Sequence, residues 1–437
     1  VGLSLSAVPA AVATGGASDQ QAGTAEYVVM LQQPAKVAQA GGLHTASGKA
    51  AAQAHTDAAV RRIEATGIEA TQTYRTLGGF SATLTAAQVA ELESNPAVAS
   101  ISKDTMVTLD DQKGAPRKIT GSPAAAGEQK DPFSWGLDRI DQKNLPLDNV
   151  FKYAASGEGV TAYVIDSGLR ATHMDFTGRV KKGKDVVNDG KGTGDCLGHG
   201  THVAGTVMGE ISGVAKGASV VPVRVFGCEG SAPNSQIIEG MEWVAANAKG
   251  PSVVNMSLGG PVDPASDEAA RRLVDAGLVT VVAAGNDAND ACDNSPGREP
   301  KVLTVAATDQ KDNRSIWGGG QESAYGKCVD LFAPGTDIVS ASYQADNEGA
   351  SMSGTSMAAP HVAGAAALYL QKNPTATVQQ VASALRQTAT QGMVSGTYGS
   401  PNLLLDTTAL TAGGTTTDPQ PTGGIVNGDF CLLYTSP

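Results

Sequence analysis

The hydrophobic pattern changes near residue 130 and divides the chain into two regions with different predicted folds. In residues 26–109, short apolar stretches alternate with two amphipathic ones, in the order strand, helix, strand, strand, helix, strand. This is the split βαβ order, so we predict a small α+β domain of ferredoxin-like type. Its predicted elements are Tyr27–Leu31, Ala50–Ala65, Thr73–Leu84 as two strands around a turn, Thr85–Asn95 and Val98–Ile101.

The region 132–410 has a different pattern, in which near-continuous apolar runs alternate with longer helical segments. Such runs are typical of strands that are buried on both faces of a parallel sheet. Strands that alternate with helices predict an α/β domain with helices on both faces of the sheet. The predicted strands are Val160–Ile165, Val220–Phe226, Ser252–Met256, Val279–Ala284 and Val302–Ala306. The predicted helices are His199–Met208, Ser235–Ala248, Asp267–Ala276 and Ser356–Leu370.

Three segments outside these domains have distinct compositions. Residues 1–25 begin with an apolar stretch that ends in Ala11-Val12-Ala13, which resembles the end of a secretory signal; the alternative is an irregular Ala-rich end. Residues 110–131 lack apolar periodicity and predict an exposed linker that is easily cut during maturation. Residues 411–437 predict a Thr/Gly/Pro linker followed by a truncated or artefactual end.

Charge and hydropathy exclude some partners. The formal net charge is −12, which argues against nucleic-acid binding because that function needs basic patches. No run of about 18 apolar residues is present, so no membrane-spanning segment is expected. There are five cysteines and no Cys-x-x-Cys pair, which disfavours a zinc cluster.

Three residues with catalytic potential lie where strands end or helices begin. Asp166 follows the first buried strand, whereas His199 and Ser356 each open a predicted helix. In parallel α/β sheets these positions share one crevice. A serine needs a base to become a nucleophile, and histidine needs a carboxylate to fix its tautomer. Asn286 follows another buried strand and, with the Ser356 N–H group, can stabilise an oxyanion.

These residues lie in motifs that resemble those of the subtilisin-like serine peptidases, or subtilases. The motifs are Asp166-Ser167-Gly168, Gly198-His199-Gly200-Thr201-His202 and Gly354-Thr355-Ser356-Met357-Ala358, together with Asn286 and Asn255–Gly260. The closer likeness is to the proteinase K branch and its aqualysin-like bacterial enzymes, over roughly Trp135–Leu405. It implies a subtilisin-like three-layer fold with Ser356 as nucleophile, His199 as general acid/base, Asp166 as its orienter and Asn286 in the oxyanion hole. Residues 26–109 resemble the inhibitory propeptide of these enzymes.

The resemblance also implies a mode of substrate binding. An extended peptide would add as a strand beside Gly230-Ser231 and Ser257-Leu258-Gly259, and this mode implies broad specificity because main-chain bonds do not distinguish side chains. Small residues would wall the S1 pocket and admit sizeable apolar side chains: Ala283, Ala284 and Gly285. Ala232-Pro233 departs from the family pattern of Gly and Ser, and proline removes a donor from this edge.

Structural calcium and two disulfides are implied in the same way. One predicted calcium site combines the Pro300 and Val302 carbonyls with Asp330, since hard oxygen ligands suit Ca²⁺. A second would use Asp138, Asp141, Gln142 and Asp148, for which ordinary surface charge is the alternative. Four cysteines allow three pairings, and the likeness implies Cys196–Cys228 and Cys292–Cys328, which leaves Cys431 over.

The sequence therefore predicts a secreted, calcium-stabilised serine endopeptidase of broad specificity that forms an acyl-enzyme and processes its own precursor. Its expected partners are protein and peptide substrates and its own propeptide, and we expect a monomer without nucleic-acid or membrane partners. One alternative is a non-catalytic relative that binds peptides, which the intact set of four catalytic residues disfavours. Another is a dinucleotide-binding α/β enzyme, which the missing glycine fingerprint disfavours.

Overall fold

A computed structural model describes residues 23–109, 112–119 and 127–410. The signal-like segment 1–22, parts of the linker and the segment 411–437 lie outside the described residues. The described elements form two domains that follow one another along the chain.

The N-terminal domain has the predicted order of strands and helices, with one additional short helix. Its elements are β1 (Thr24–Leu31), α1 (Ala35–Gln39), α2 (Ala46–Glu64), β2 (Gln72–Tyr74), β3 (Gly79–Thr85), α3 (Ala86–Glu93) and β4 (Val98–Lys103). The four strands form an antiparallel sheet in the order β2-β3-β1-β4. Thr85 and Gln88 form a capping box at the start of α3, in which each side chain accepts a main-chain N–H group of the other residue.

Three short strands connect the two domains: β5 (Met106–Thr108), β6 (Gln112–Lys118) and β7 (Glu128–Lys130). Two of them, β6 and β7, lie within the segment that the sequence predicted as irregular linker. Each connecting strand pairs antiparallel with a strand of the second domain. The prediction missed them because edge pairing uses only main-chain groups and requires no apolar pattern.

The second domain contains the remaining elements. Its helices are α4 (Trp135–Ile140), α5 (His199–Met208), α6 (Asn234–Asn247), α7 (Pro264–Asp275), α8 (Thr355–Lys372) and α9 (Val378–Thr388), with 3₁₀ turns at Met174–Phe176 and Ala291–Asp293. Its strands are β8 (Val150–Lys152), β9 (Thr161–Asp166), β10 (Lys184–Asp185), β11 (Ser219–Arg224), β12 (Ser231–Pro233), β13 (Ser252–Met256), β14 (Gly260–Pro261), β15 (Val279–Ala283), β16 (Asn294–Ser295), β17 (Leu303–Thr308), β18 (Ile316–Gly318), β19 (Gln321–Glu322), β20 (Leu331–Pro334), β21 (Ile338–Ala341), β22 (Glu348–Ser353), β23 (Thr390–Gln391) and β24 (Leu403–Leu404).

A nine-stranded sheet forms the centre of this domain, in the order β10-β11-β9-β13-β15-β17-β20-β24-β23. Every neighbouring pair is parallel except β23 and β24 at one edge. One face packs against α5 and α8, and the other packs against α6 and α7. The three-layer fold with a central parallel sheet is therefore confirmed.

Helix α8 is buried on all sides from Thr355 to Leu370 and is rich in alanine. Small residues allow α5 and α8 to lie close together. A Cβ atom added to Gly364 would lie 2.6 Å from Val214 Cβ and 2.9 Å from the Val207 carbonyl oxygen. This close packing places the first residues of the two helices at the same edge of the sheet.

Strand β1 contributes to two hydrophobic cores because its side chains alternate between its two faces. Val29 and Leu31 pack with α2 and α3 inside the N-terminal domain. Val28 and Met30 face the other way and join the core that contains α6 and α7. The sheet of the N-terminal domain therefore lies on these two helices of the second domain.

Candidate active site

Asp166 is the last residue of β9 and is fully buried. Its carboxylate oxygens lie 2.8 and 2.9 Å from Nδ1 of His199, and Oδ1 also accepts the N–H group of Ser167 at 2.6 Å. His199 opens α5 and is 1% exposed. The structure thus brings the predicted carboxylate and imidazole into direct hydrogen-bonding contact.

The start of α5 is fixed by Asp195, a residue that the sequence analysis did not select. Its carboxylate accepts the N–H groups of Leu197, Gly198 and Thr201 at 2.8–2.9 Å, and Ser167 Oγ donates to it at 3.0 Å. An aspartate close before a predicted helix start is a capping signal that could have identified it. Asp195 therefore ties the loop after Asp166 to the helix that carries His199.

Ser356 is the second residue of α8 and is 5% exposed. Its hydroxyl lies 3.3 Å from the carbonyl oxygen of Ser257, to which it donates, and the hydroxyl of Ser257 donates to the Ser356 carbonyl at 2.7 Å. Ser257 follows β13, the strand that pairs with β9. Ser356 and Asp166 therefore lie at the same carboxyl edge of the sheet.

Asn286 follows β15, the next strand along this edge. Its side-chain oxygen accepts the N–H group of Thr355 at 3.0 Å and the Thr355 hydroxyl at 2.9 Å. These bonds engage the oxygen end of the amide, and Asn286 and Ser356 line the same cleft. Thr355 is a positioning residue that the sequence analysis did not predict, although it lies within the Gly-Thr-Ser motif.

A cleft lies beside Ser356 and is lined by most of the residues predicted to bind substrate. Ser257, Leu258, Gly259, Ala283 and Gly285 line it, together with Asn286 and Asn294. Ala284, which was also predicted to wall the S1 pocket, is fully buried behind the cleft. Ala284 belongs to a hydrophobic cluster that includes Ala306 and Phe332.

The connecting strand β5 lies at this cleft and pairs antiparallel with β12, with Thr108 opposite Ser231. The Leu109 N–H group donates to the Gly230 carbonyl at 2.9 Å, and Thr108 and Leu109 line the cleft with Ser356. Pro233 lies opposite Met106 at the far end of this pairing. The residues predicted to bind an extended peptide therefore hold an extended segment of the chain itself.

Two disulfides brace this region with the pairings that the family likeness implied. Cys196–Cys228 has a Cα–Cα distance of 5.1 Å and links the loop before His199 to the loop before Gly230. Cys292–Cys328 has a Cα–Cα distance of 5.3 Å and lies beyond Asn286. The first bridge connects the imidazole-bearing segment to the edge strand directly.

Asp138 and Asp141 each carry a carboxylate oxygen without a partner, and Asp148 is a charged neighbour of both. Asp138 Oδ1 and Asp141 Oδ1 are buried and accept no hydrogen bond. Burial, with the Asp138 and Asp148 carboxylates adding to it, raises the pKa of Asp141 to about 7. Asp148 is half exposed and pairs with Lys152 at 2.8 Å, and its N–H group donates to the Gln142 side-chain oxygen at 3.2 Å.

The other predicted calcium site contains a cationic side chain. Asp330 accepts the Arg386 guanidinium at 2.6 Å on Oδ1 and the Thr304 N–H group at 2.8 Å on Oδ2. Both of its oxygens are therefore engaged. In the part of the chain that the structure describes, no three Asp, Glu, His or Cys side chains converge as a ready-made metal site.

Comparison with known proteins agrees with this architecture. Residues 157–402 match the model of the subtilase family, and residues 26–110 match that of the peptidase inhibitor I9 family. Within the described residues, no helix is long and apolar enough to span a bilayer.

Similar proteins include an extracellular serine proteinase of Thermus sp. (strain Rt41A), 53% identical over 63% of this chain and 66% of that protein. Alkaline serine exoprotease A of Vibrio alginolyticus is 45% identical over 80% of this chain and 64% of that protein. The crystal structure of a cold adapted subtilisin-like serine proteinase is 49% identical, with a TM-score of 0.61 over 64% of this chain and 99% of that one. The chain thus spans slightly less than two thirds of the length of both relatives. It belongs to the subtilase family and carries an I9-type inhibitor domain before its subtilase domain.

Proposed function

We propose that this chain is a secreted serine endopeptidase that hydrolyses peptide bonds through an acyl-enzyme on Ser356. The observation that carries the proposal is the buried Asp166–His199 pair at the strand edge where Ser356 and Asn286 also lie. Secretion is supported by the names of the relatives, which are an extracellular proteinase and an exoprotease.

In this mechanism His199 accepts the proton of the Ser356 hydroxyl as the oxygen attacks the substrate carbonyl carbon. The Asp166 carboxylate accepts from Nδ1, which leaves Nε2 as the base and stabilises the imidazolium that forms. The protonated His199 then gives the proton to the leaving amine. Water attacks the acyl-enzyme in the second half, with His199 again as the base.

The oxyanion of each tetrahedral intermediate needs preorganised donors. The N–H group of Ser356 is in the first turn of α8 and has no acceptor within the helix. The NH₂ group of Asn286 is the second donor, and Thr355 fixes its orientation through the amide oxygen. We propose that these two donors form the oxyanion hole.

Broad specificity follows from the way the cleft would hold a substrate. In the precursor, β12 and Gly230 hold the segment Met106–Leu109 by main-chain hydrogen bonds, and Ser257–Gly259 line the cleft beside it. We propose that an extended substrate binds along the same two segments. Such bonds are the same for nearly every residue except proline. Ala283 and Gly285 leave room for a large apolar side chain next to Ser356.

The N-terminal domain is proposed to inhibit the same site within the precursor. Leu109 lies in the cleft beside Ser356, and Gln112 pairs with Ser353, three residues before Ser356. We therefore propose that the first maturation cut falls on one of the bonds that join Leu109 to Gln112. The inhibitor domain would then remain bound as a cleaved fragment, and the matured enzyme would act as a monomer.

Calcium is proposed to bind at the group formed by Asp138, Asp141, Gln142 and Asp148. The buried, unpartnered oxygens of Asp138 and Asp141 support this, because buried carboxylates normally have partners. A bound Ca²⁺ would supply the positive charge that keeps both carboxylates ionised, and this would stabilise the loop between α4 and β8. The chemistry at Ser356 does not involve this site.

The mechanism predicts that Ser356→Ala abolishes both catalysis and maturation. The variant should persist as the full precursor, resist labelling by a fluorophosphonate and leave casein intact, whereas the parent chain should be labelled and cleaved. Ser353→Ala, three residues away, serves as the matched control and should retain labelling. Labelling of Ser356→Ala at the parent rate would place the nucleophile elsewhere, and an unlabelled, uncleaved parent would favour the non-catalytic alternative.

A further inference from the structure

Asp330 lies where three elements meet, immediately before β20 and beside the first residues of β17. The last turn of α9 carries Arg386 to the same place. The family likeness predicts a calcium ion here, held by Asp330 with the Pro300 and Val302 carbonyls.

Asp330 already has a cationic partner. Two guanidinium nitrogens of Arg386 lie on the same carboxylate oxygen, Nη2 at 2.6 Å and Nε at 3.2 Å. The second oxygen accepts the Thr304 N–H group at 2.8 Å. A calcium ion that used both oxygens would have to displace both partners.

Charge and position favour arginine in this place. A guanidinium is always protonated and bonds carboxylates with fixed geometry, so it supplies a permanent positive charge without a bound ion. The carboxyl end of a helix also favours a cation, and Arg386 is in the last turn of α9. A calcium ion beside Arg386 would experience repulsion between like charges, which is strong where side chains are partly buried.

Asp330 differs in this respect from the group at the other predicted calcium site. There, Asp138 and Asp141 each have a buried oxygen without a partner. Both oxygens of Asp330, by contrast, have partners. The Asp330 side chain is 22% exposed and that of Arg386 is 38% exposed, so the pair is partly shielded from water. The carboxylates at Asp138 and Asp141 therefore have room for a bound cation, whereas Asp330 already has one in Arg386.

We propose that the Arg386 guanidinium is the resident cation at Asp330, so that this carboxylate binds no calcium while Arg386 is in place. The calcium requirement of the chain then falls on the group around Asp138 and Asp141. Removal of the guanidinium should open the Asp330 site to calcium.

The test uses the full chain with Ser356→Ala, which prevents self-digestion. Calorimetry measures the calcium stoichiometry, and the melting temperature is measured in chelator and in calcium. Adding Asp330→Asn should leave the stoichiometry unchanged. Adding Arg386→Leu should raise it by one equivalent and lower the melting temperature in chelator by about 2–4 °C, with recovery in calcium. Arg386→Lys keeps the charge and should not gain the extra ion, and Arg386→Leu with Asp330→Asn should lose it again.

Two results would overturn the proposal. Loss of one calcium equivalent in Asp330→Asn would mean that calcium binds beside Arg386 in the parent chain. A folded Arg386→Leu protein that binds no additional calcium would show that the guanidinium does not replace an ion. If Arg386→Leu fails to fold, the stoichiometry of Asp330→Asn alone decides.

Discussion

The N-terminal domain contacts the subtilase domain in two regions that differ in chemistry. The tail, Met106–Leu109, lies in the cleft and pairs with β12 through main-chain groups. The body, Thr24–Lys103, lies on α6 and α7, where the buried Arg272 and the half-buried Glu242 bind its main chain. A tail of this kind resembles any extended peptide, whereas the body contacts require one particular fold, so the body should provide most of the affinity and selectivity.

Two charged residues hold one turn of the body from opposite sides. Arg272 of α7 is 2% exposed and donates to the carbonyl groups of Leu31 at 2.6 Å and Gly78 at 2.8 Å, as well as to that of Leu77. Glu242 of α6 accepts the N–H groups of Thr76 at 2.8 Å and Leu77 at 2.7 Å. Arg272 and Glu242 therefore bind main-chain groups of the turn before β3. These groups lie in the right positions only when the N-terminal domain is folded.

Loss of Arg272 should have the largest effect on inhibition. Arg272→Ala leaves carbonyl groups of the N-terminal domain buried without donors, and truncation of such a charged partner should weaken inhibition about 10²–10³-fold. The inhibition constant of the separate domain 23–109 against the matured enzyme, measured with a chromogenic peptide, tests this. Arg271→Ala, its more exposed neighbour, should stay within twofold, and equal effects at both positions would refute a specific role for Arg272.

Loss of Glu242 should have an intermediate effect. Glu242→Ala removes the acceptor of two N–H groups, which should weaken inhibition about 10- to 100-fold because unsatisfied buried donors are costly. Glu239→Ala, one turn earlier on α6 and paired with Lys184, is the control in the same assay. If the domain inhibits Glu242→Ala as tightly as it inhibits the parent enzyme, van der Waals packing and not these hydrogen bonds holds the turn on α6.

A change in the tail should have the smallest effect. Val107 is 7% exposed and packs beside Leu258 and Gly260, so Val107→Ala removes about two buried carbon groups. Inhibition should weaken about three- to tenfold, while Met106→Ala, at a 57% exposed position, should have no measurable effect. A larger loss for Val107→Ala than for Arg272→Ala would reverse the ranking of tail and body.

The sequence predicted residues that lie in local motifs better than those with distant partners. Asp166, His199 and Asn286 were predicted because each follows or begins a recognisable strand or helix, and the structure places them at one edge. Arg272 and Arg386 could not be predicted in this way. Each is a charged residue on an amphipathic helix, and charged residues on such helices normally face water. The partner of each residue is also more than 50 residues away in the sequence. Strand β6 was missed because strand pairing by main-chain groups requires no apolar pattern in the sequence.

The close approach of α5 and α8 limits which side chains can be accommodated between the two helices. His199 and Ser356 lie in the first turns of these two helices, so the spacing between the helix axes also sets the spacing between the proposed base and the proposed nucleophile. Gly364 has no room for even a methyl group. A side chain there would push the two helices apart about two turns from Ser356. If Ser356 and His199 act as proposed, turnover should fall at displacements too small to unfold the domain.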